Sequence, residues 1–513
     1  MSALQLKRSG LSLLLGVTLA GCSFIPAYER PALPVTEHFP VQPASEPADV
    51  HTATAPAQTG WRNFFLDAQL QRLIALALEN NRDLRVAIAR VEEAQALYGV
   101  QASELLPSVG VGAQGAINRL PRDMRAPGAG SMSRSYQAGL GITAFELDVF
   151  GRVRSLSQAA YQQYLASEAT RRTVHIALVA QVAQAWFNLR AIERQFELAH
   201  STQQARQQFF ELVKLRYDNG IAGAMDLHQA RSQLDSVRAE LVQFERLREQ
   251  ARHALQLLLG QAIPNELNTQ IAIRPIFDTG FNTAQTLASV PLHLPSSVLL
   301  QRPDIEAAEH QLQAANASIG AARAAFFPNI SLTSMLGFAS SALGDLFGSG
   351  GRGYWSFQPG ITAPIFSGGG LRSNLQVAEL RKEISVAQYE RAIQAAFREV
   401  ADSLAGESTF SAQLDALRQL ERSAAETLAL AKLRYENGID SFLQVQTAEI
   451  ALFATQQQFI QVSLAALINR VDLYKALGGG WLENTAPVTA AATTVEAAVQ
   501  TADAARLSGD GAL

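Results

Sequence analysis

Residues 214–221 read KLRYDNGI and residues 432–439 read KLRYENGI, differing by one methylene in a carboxylate side chain. The copies lie 218 positions apart (432 − 214), far beyond the roughly 20–50-residue period of stacked repeats. A repeat at that distance means that the body of the chain is written twice. Asp83-Leu84 opens a helical pattern that runs to Leu106-Pro107, and Asp304-Ile305 opens another that runs to Phe327-Pro328, both pairs offset by 221 (328 − 107). Alternation follows each proline: Val109, Val111, Ala113, Gly115 and Ile117 in one half, Ile330, Leu332, Ser334, Leu336 and Phe338 in the other. Period two predicts a strand with two unlike faces. A second strand is expected over Tyr136–Phe145 and again over Trp355–Ile365, where Pro359 and Pro364 weaken the pattern. Polar, Gly-rich stretches separate the members of each strand pair.

Beyond the strands, Arg152 to Asn219 contains neither Gly nor Pro, and Leu371 to Asn437 contains only Gly406. As one helix each would extend about 100 Å at 1.5 Å per residue. Helical patterns resume after both octets, to Leu259 and to Leu477. Each octet is therefore the turn between two long antiparallel helices. Gly220 and Gly438 stand just past a helix end, where a left-handed residue is wanted, and Asn219 and Asn437 suit the same turn.

The first repeat is bounded at 65–285, with strands at 107–119 and 134–148 and a tip turn at 217–226. The second is bounded at 286–483, with strands at 328–339 and 354–366 and a tip turn at 435–447. Residues 1–21 read as a signal peptide: Lys7 and Arg8, then an apolar stretch from Leu11 to Ala20, too short to cross a bilayer. Leu19-Ala20-Gly21-Cys22 resembles a bacterial lipobox and ends in the only cysteine of the chain. That resemblance implies that Cys22 becomes the mature N-terminus and carries a diacylglycerol and an N-acyl chain. Ser23 at the next position, where an aspartate would signal retention, implies the outer membrane. Residues 22–64 then read as a lipid-anchored extended segment and 484–513 as a disordered tail.

One cysteine permits no intramolecular disulfide and no thiol metal cluster. The net charge of −4, with both signs interspersed, does not suggest a nucleic-acid partner. After the signal no run of 18 apolar residues occurs, so a membrane crossing would have to be a closed β-barrel. Four strands per chain cannot close one, since the smallest such barrels have about eight. The chains must pool strands: two copies would supply eight, three would supply twelve.

At this point the chain resembles the TolC-like outer-membrane factors, in the lipoprotein branch that serves resistance-nodulation-division (RND) efflux pumps. The residues that carry the likeness are WRNFFLDAQLQRLIALALENNRDL at 61–84, LLQRPDIEAAEHQLQAANASIGAARAAFFPNISL at 299–332 and LYKALGGGW at 473–481, together with the lipobox and both octets. The resemblance implies an α+β membrane protein, a tandem-duplicated protomer of long antiparallel helices and four strands. It implies a homotrimer with a 12-stranded barrel in the outer membrane of a Gram-negative bacterium, continuous with a periplasmic α-helical barrel. It also implies a passive exit duct for drugs or other small molecules, partnered by an inner-membrane RND pump and a periplasmic membrane-fusion adaptor. Tyr217, Asn219, Gly220, Asn437 and Gly438 then belong to the tips on which the adaptor docks. Asp226 and Tyr435 match a hydrogen-bonded gate pair, and Leu443 matches an apolar constriction. Gln444, Thr447 and Asp440 depart from the family's charges at the gate, so an acidic ring there is not implied.

Other signals reduce to structure. Gly110-Val111-Gly112-Ala113-Gln114-Gly115 matches a dinucleotide fingerprint in letters, but continues as a strand where that motif needs a helix. Gly348–Gly353 lacks the Lys-Ser/Thr of a phosphate loop, and the histidines, His228 included, lack metal spacing. The expectation is a protein that is no enzyme and uses no cofactor beyond its lipid. Two alternatives are an exit duct for type I protein secretion and, from another class, a lipid-anchored periplasmic coiled-coil adaptor.

Overall fold

The computed structural model describes residues 23–40, 56–119, 121, 123, 125, 131–265, 286–291, 294–348 and 351–485. The signal peptide 1–21, Cys22, the tail beyond 485 and residues 266–285 before the expected repeat boundary lie outside the described residues. Each repeat is helix, two strands, long helix, helix. The first holds α1 (Ala68–Asn80), α2 (Arg82–Ser103), β1 (Val109–Arg119), β2 (Met132–Glu146), α3 (Arg152–Asp218) and α4 (Ala224–Leu259). The second holds α5 (Pro303–Ala324), β3 (Asn329–Ser340), β4 (Arg352–Thr362), α6 (Gly370–Glu436) and α7 (Phe442–Ala476). Helices α3 and α6 have 67 residues each. The chain divides into two compact units, one of residues 1–32, 89–169 and 306–391, the other of 33–88, 170–305 and 392–513.

The first unit is built on an antiparallel sheet in the order β1-β2-β3-β4. Alternation sorts its faces. Val111 lies opposite Leu140, Leu140 opposite Leu336, and Leu336 opposite Trp355, an apolar row across all four strands. The intervening row of Gly112, Gly139, Gly337 and Tyr354 is small over three strands. A Cβ on Gly139 would run into the Leu336 carbonyl oxygen, and one on Gly337 into that of Ala138. The glycine pair is what lets β2 and β3 approach. Register shifts between Ile142 and Phe145 at a bulge, where Ala144 takes a left-handed φ of 51° and its N–H donates to Thr333 Oγ1 at 3.1 Å. Strand β4 runs through Pro359 to Thr362, not to 366 as expected. Its edge position accommodates a residue without an N–H.

The first turn of α3 is capped by Asp148, whose carboxylate accepts the Val153 and Arg154 N–H groups, both at 2.9 Å. The segment from Ser23 is not a free tether. Phe24 stacks on Phe327 at 4.6 Å, Asn316 Nδ2 donates to the Pro26 carbonyl, and Glu309 accepts from Tyr28 at 3.1 Å and Arg30 at 2.8 Å.

In the second unit, residues 56–64 correct the expectation of an extended segment to 64. Pro56–Gln58 is a 3₁₀ turn and Trp61–Phe64 a helical turn. Trp61, Phe64 and Phe65 are buried with Leu70, Leu73, Ile74, Trp186 and Phe187, and Phe64 stacks on Tyr474 at 3.9 Å. Apolar burial on this scale outweighs the local preference of the chain. The tail boundary moves as well. Thr485 N donates to Asn63 Oδ1 at 2.8 Å, so 484 and 485 belong to the packed body. Asn81 joins α1 to α2: its Oδ1 accepts the Leu84 N–H and its Nδ2 donates to the Leu258 carbonyl, both at 2.9 Å. Arg302, buried before α5, reaches Asp304, Glu399 and the Ala476 carbonyl.

Candidate functional site

The two octet turns share one backbone. At the first, Gly220 has φ +72°, its N–H donates to the Tyr217 carbonyl at 2.9 Å and the Ile221 N–H to the Arg216 carbonyl at 2.8 Å. At the second, Gly438 has φ +71°, with the matching bonds to Tyr435 at 3.0 Å and Arg434 at 2.9 Å. This is the Schellman closure, and a left-handed glycine makes it. Asn219 and Asn437 each donate Nδ2 back to a leucine carbonyl four residues earlier at 2.7 Å.

The side chains part company after the octets. Residues 222–227 read AGAMDL and residues 440–445 read DSFLQV. In the second turn Phe442 is buried and stacks on Phe209 of α3 at 5.2 Å. Around it Val213, Ala230, Ala431, Tyr435, Val445 and Ala448 form a small core of their own. Tyr435 is therefore 6% exposed, whereas Tyr217 is 41% exposed. The Arg216 guanidinium lies over the Tyr435 ring, 4.7 Å from its centroid. Burial pushes the Tyr435 phenol up; the Arg216 charge opposes this and the Asp226 charge adds to it. Arg434, the counterpart of Arg216, instead grips Asp440 with two bonds of 2.6 and 3.1 Å, and this pair holds the Asp440 carboxyl below its usual range.

Asp226 is brought close to Tyr435, but among the described residues no hydrogen bond joins them. This corrects the phenol–carboxylate bond that the resemblance implied. The aromatic cluster fixes the ring, and Arg216 covers it. Asp226 stands in the first turn of α4, where the helix dipole favours its charge. Leu443 is exposed at the start of α7, Thr447 Oγ1 donates to the Leu443 carbonyl at 2.8 Å, and the Gln444 N–H donates to the Ser441 carbonyl. Behind the turns Arg206, 5% exposed, ties three helices: Nη1 donates to the Gln233 carbonyl at 2.9 Å and Nε to Glu449 at 3.2 Å. Sequence reasoning missed Phe209, Arg206, Arg216 and Phe442. Only Phe442 left a signal, as an aromatic where the first turn has Ala224.

The model of a family described as "Outer membrane efflux protein" matches residues 73–261 and again 294–479. The chain is 44% identical over 470 residues to the "Antibiotic efflux pump outer membrane protein ArpC" of Pseudomonas putida, covering 91% of this chain and 94% of that one. Identity and coverage are the same to the "Toluene efflux pump outer membrane protein TtgC" of a Pseudomonas putida strain. Among solved structures, the open state of the MtrE outer membrane channel of Neisseria gonorrhoeae superposes with a TM-score of 0.79 at 38% identity, over 91% of this chain and all of that one.

Proposed function

The chain belongs to the outer membrane efflux protein family, and from that premise we propose that three copies join into one exit duct fed by an inner-membrane RND pump through a periplasmic adaptor. The protein is an outer-membrane efflux channel and not an enzyme. The observation that carries the trimer is the sheet. Its apolar row is exposed, with Trp355 74% exposed, and β1 and β4 are both edges. Unpaired edges are not tolerated in lipid, and four strands are too few to close. Three copies supply twelve, and the long helices continue from the strands as a periplasmic tube. A duct of this kind conducts passively. Antibiotics and toluene, named for the pumps of the two relatives, support drugs or other small molecules as the cargo.

In this reading Cys22 carries the acyl chains, and the segment from Phe24 to Arg30 that follows it in sequence is docked on Phe327, Asn316 and Glu309. The two glycine turns are the adaptor-docking tips, and Tyr435, Arg216, Asp226 and Leu443 form the gate. Native mass measurement of the detergent-purified protein tests the assembly. Three chains with acyl mass on each are expected; a folded monomer that inserts into lipid would sink the proposal. Cys22→Ser removes the acyl mass and leaves the trimer, because the barrel holds itself in the membrane.

A further inference from the structure

The duplication makes the seam between β2 and β3 a template. It joins the end of one repeat to the start of the other inside the chain, which is what β4 and the β1 of another copy have to do between chains. The two repeats superimpose by number. Strand β3 maps on β1 with an offset of 221, as Pro328 does on Pro107. Val109 pairs with Ile142, and Ile330, its equivalent, pairs with Ile361, so β4 maps on β2 with an offset of 219 (361 − 142). The sequence agrees, since Ile142-Thr143-Ala144 recurs as Ile361-Thr362-Ala363.

Inside the chain Tyr136 faces Ser340, Ala138 faces Phe338, Leu140 faces Leu336 and Ile142 faces Ser334. Below the bulge the seam continues, with the Leu147 N–H donating to the Ile330 carbonyl at 2.8 Å. Carried over by the two offsets, these pairs become Trp355 with Arg119, Phe357 with Ile117, Pro359 with Gly115, Ile361 with Ala113, and Phe366 with Val109. We infer that β4 of one copy pairs with β1 of the next in this register, with Phe357 directly opposite Ile117. The inference rests on the trimer proposed above and specifies its seam.

Two observations support it. Face matching alone requires an even shift, since a slip of one residue would turn an apolar face to the lumen. The carried-over register meets that requirement, placing Phe357 and Ile117, both exposed apolar residues of one face, side by side. Second, Ile365 and Phe366 are 98% and 91% exposed, yet their equivalents Glu146 and Leu147 lie in the internal seam against Ser331 and Ile330. The matching seam between copies gives both a strand partner.

The test is disulfide trapping in outer membranes from cells making the full chain. Matched pairs are Phe357→Cys with Ile117→Cys, and Ser356→Cys with Asn118→Cys; two are needed because adjacent pairs alternate between wide and narrow spacing. Shifted pairs are Phe357→Cys with Gly115→Cys, and Phe357→Cys with Arg119→Cys. Directly opposite Cβ atoms lie within disulfide reach, whereas diagonal ones do not. On oxidation at least one matched pair should give covalent trimers in at least tenfold greater yield than either shifted pair, and single-cysteine variants should give none. A shifted pair trapping better overturns the register while its ladder still ends at three. No trapping in any pair, with a trimer by native mass, also overturns the register. A ladder ending at two or beyond three, or a monomer by native mass, overturns the trimer itself.

Discussion

The tips at Gly220 and Gly438 have the same eight-residue plan, the same left-handed glycine and the same pair of closing hydrogen bonds, yet one tyrosine is exposed and the other buried. The difference teaches that a turn and its environment are specified separately. Backbone closure is local, set by Leu-Arg-Tyr-x-Asn-Gly-Ile. Burial is set three residues later, where Ala224 leaves Tyr217 open and Phe442 draws Tyr435 into a core with Phe209. Duplication supplied two turns of one plan, and divergence just beyond them packed one tip around Tyr435 and left Tyr217 at the other exposed.

The comparison breaks most visibly at the tyrosines. Tyr435→Ala should loosen its tip by about 3 kcal/mol, as truncating a buried aromatic does, read as faster amide exchange in peptides spanning 428–448. Tyr217→Ala should change the exchange of its own tip by less than about 0.5 kcal/mol. Equal loosening of both tips would show that exposure is a poor guide here.

The shared half of the comparison is sharpened by Gly220→Ala and Gly438→Ala. Each forces a Cβ into left-handed backbone at about 1–2 kcal/mol, and open space around both glycines removes any steric difference. The two variants should lose the same tip protection within error. A much larger loss at Gly438 would mean that the aromatic core also depends on that turn.

A smaller effect is expected from the two arginines. Arg216→Gln removes a cation from over the Tyr435 ring, worth about 1 kcal/mol. Because Arg216 favours the phenolate, its loss should raise the already elevated pKa of Tyr435 further, whereas Asp226→Asn should lower it. Ultraviolet titration of the variants against Tyr435→Phe reads both signs, and a fall on losing Arg216 would contradict the stacked geometry.

The least effect belongs to the exposed pair of Arg434 and Asp440. The folded-state carboxyl lies below its ordinary value of 3.8, so its contribution is present above that pH and is lost as pH falls through the lower folded value. Amide exchange at 440–444 should therefore quicken only on acidification below pH 3.8, and Asp440→Asn should abolish that pH dependence.

Much of this fold was legible because its signals are local. The glycine turns, the strands after Pro107 and Pro328, and the Gly- and Pro-free helices rest on period and backbone preference, which neighbours in sequence decide. The reading of β4 overran its end: the strand keeps Pro359 but stops at Thr362, short of Pro364 and of the expected 366. Residues 56–64 were misread because Trp61, Phe64 and Phe65 find their partners at Trp186 and Tyr474, far away in sequence.

The sequence by itself determined the duplication, the order of helices and strands in each half, the two hinge glycines and the alternation that sorts the faces of the sheet. Tertiary structure alone decided that Phe209 and Phe442 would bury Tyr435, that Arg216 and not Asp226 would hold its ring, and which rows of β2 and β3 would face each other. The physical reason is range. Turn closure and alternation are set by residues a few positions apart, whereas burial and register depend on which distant surfaces meet, and a list of residues does not contain that distance.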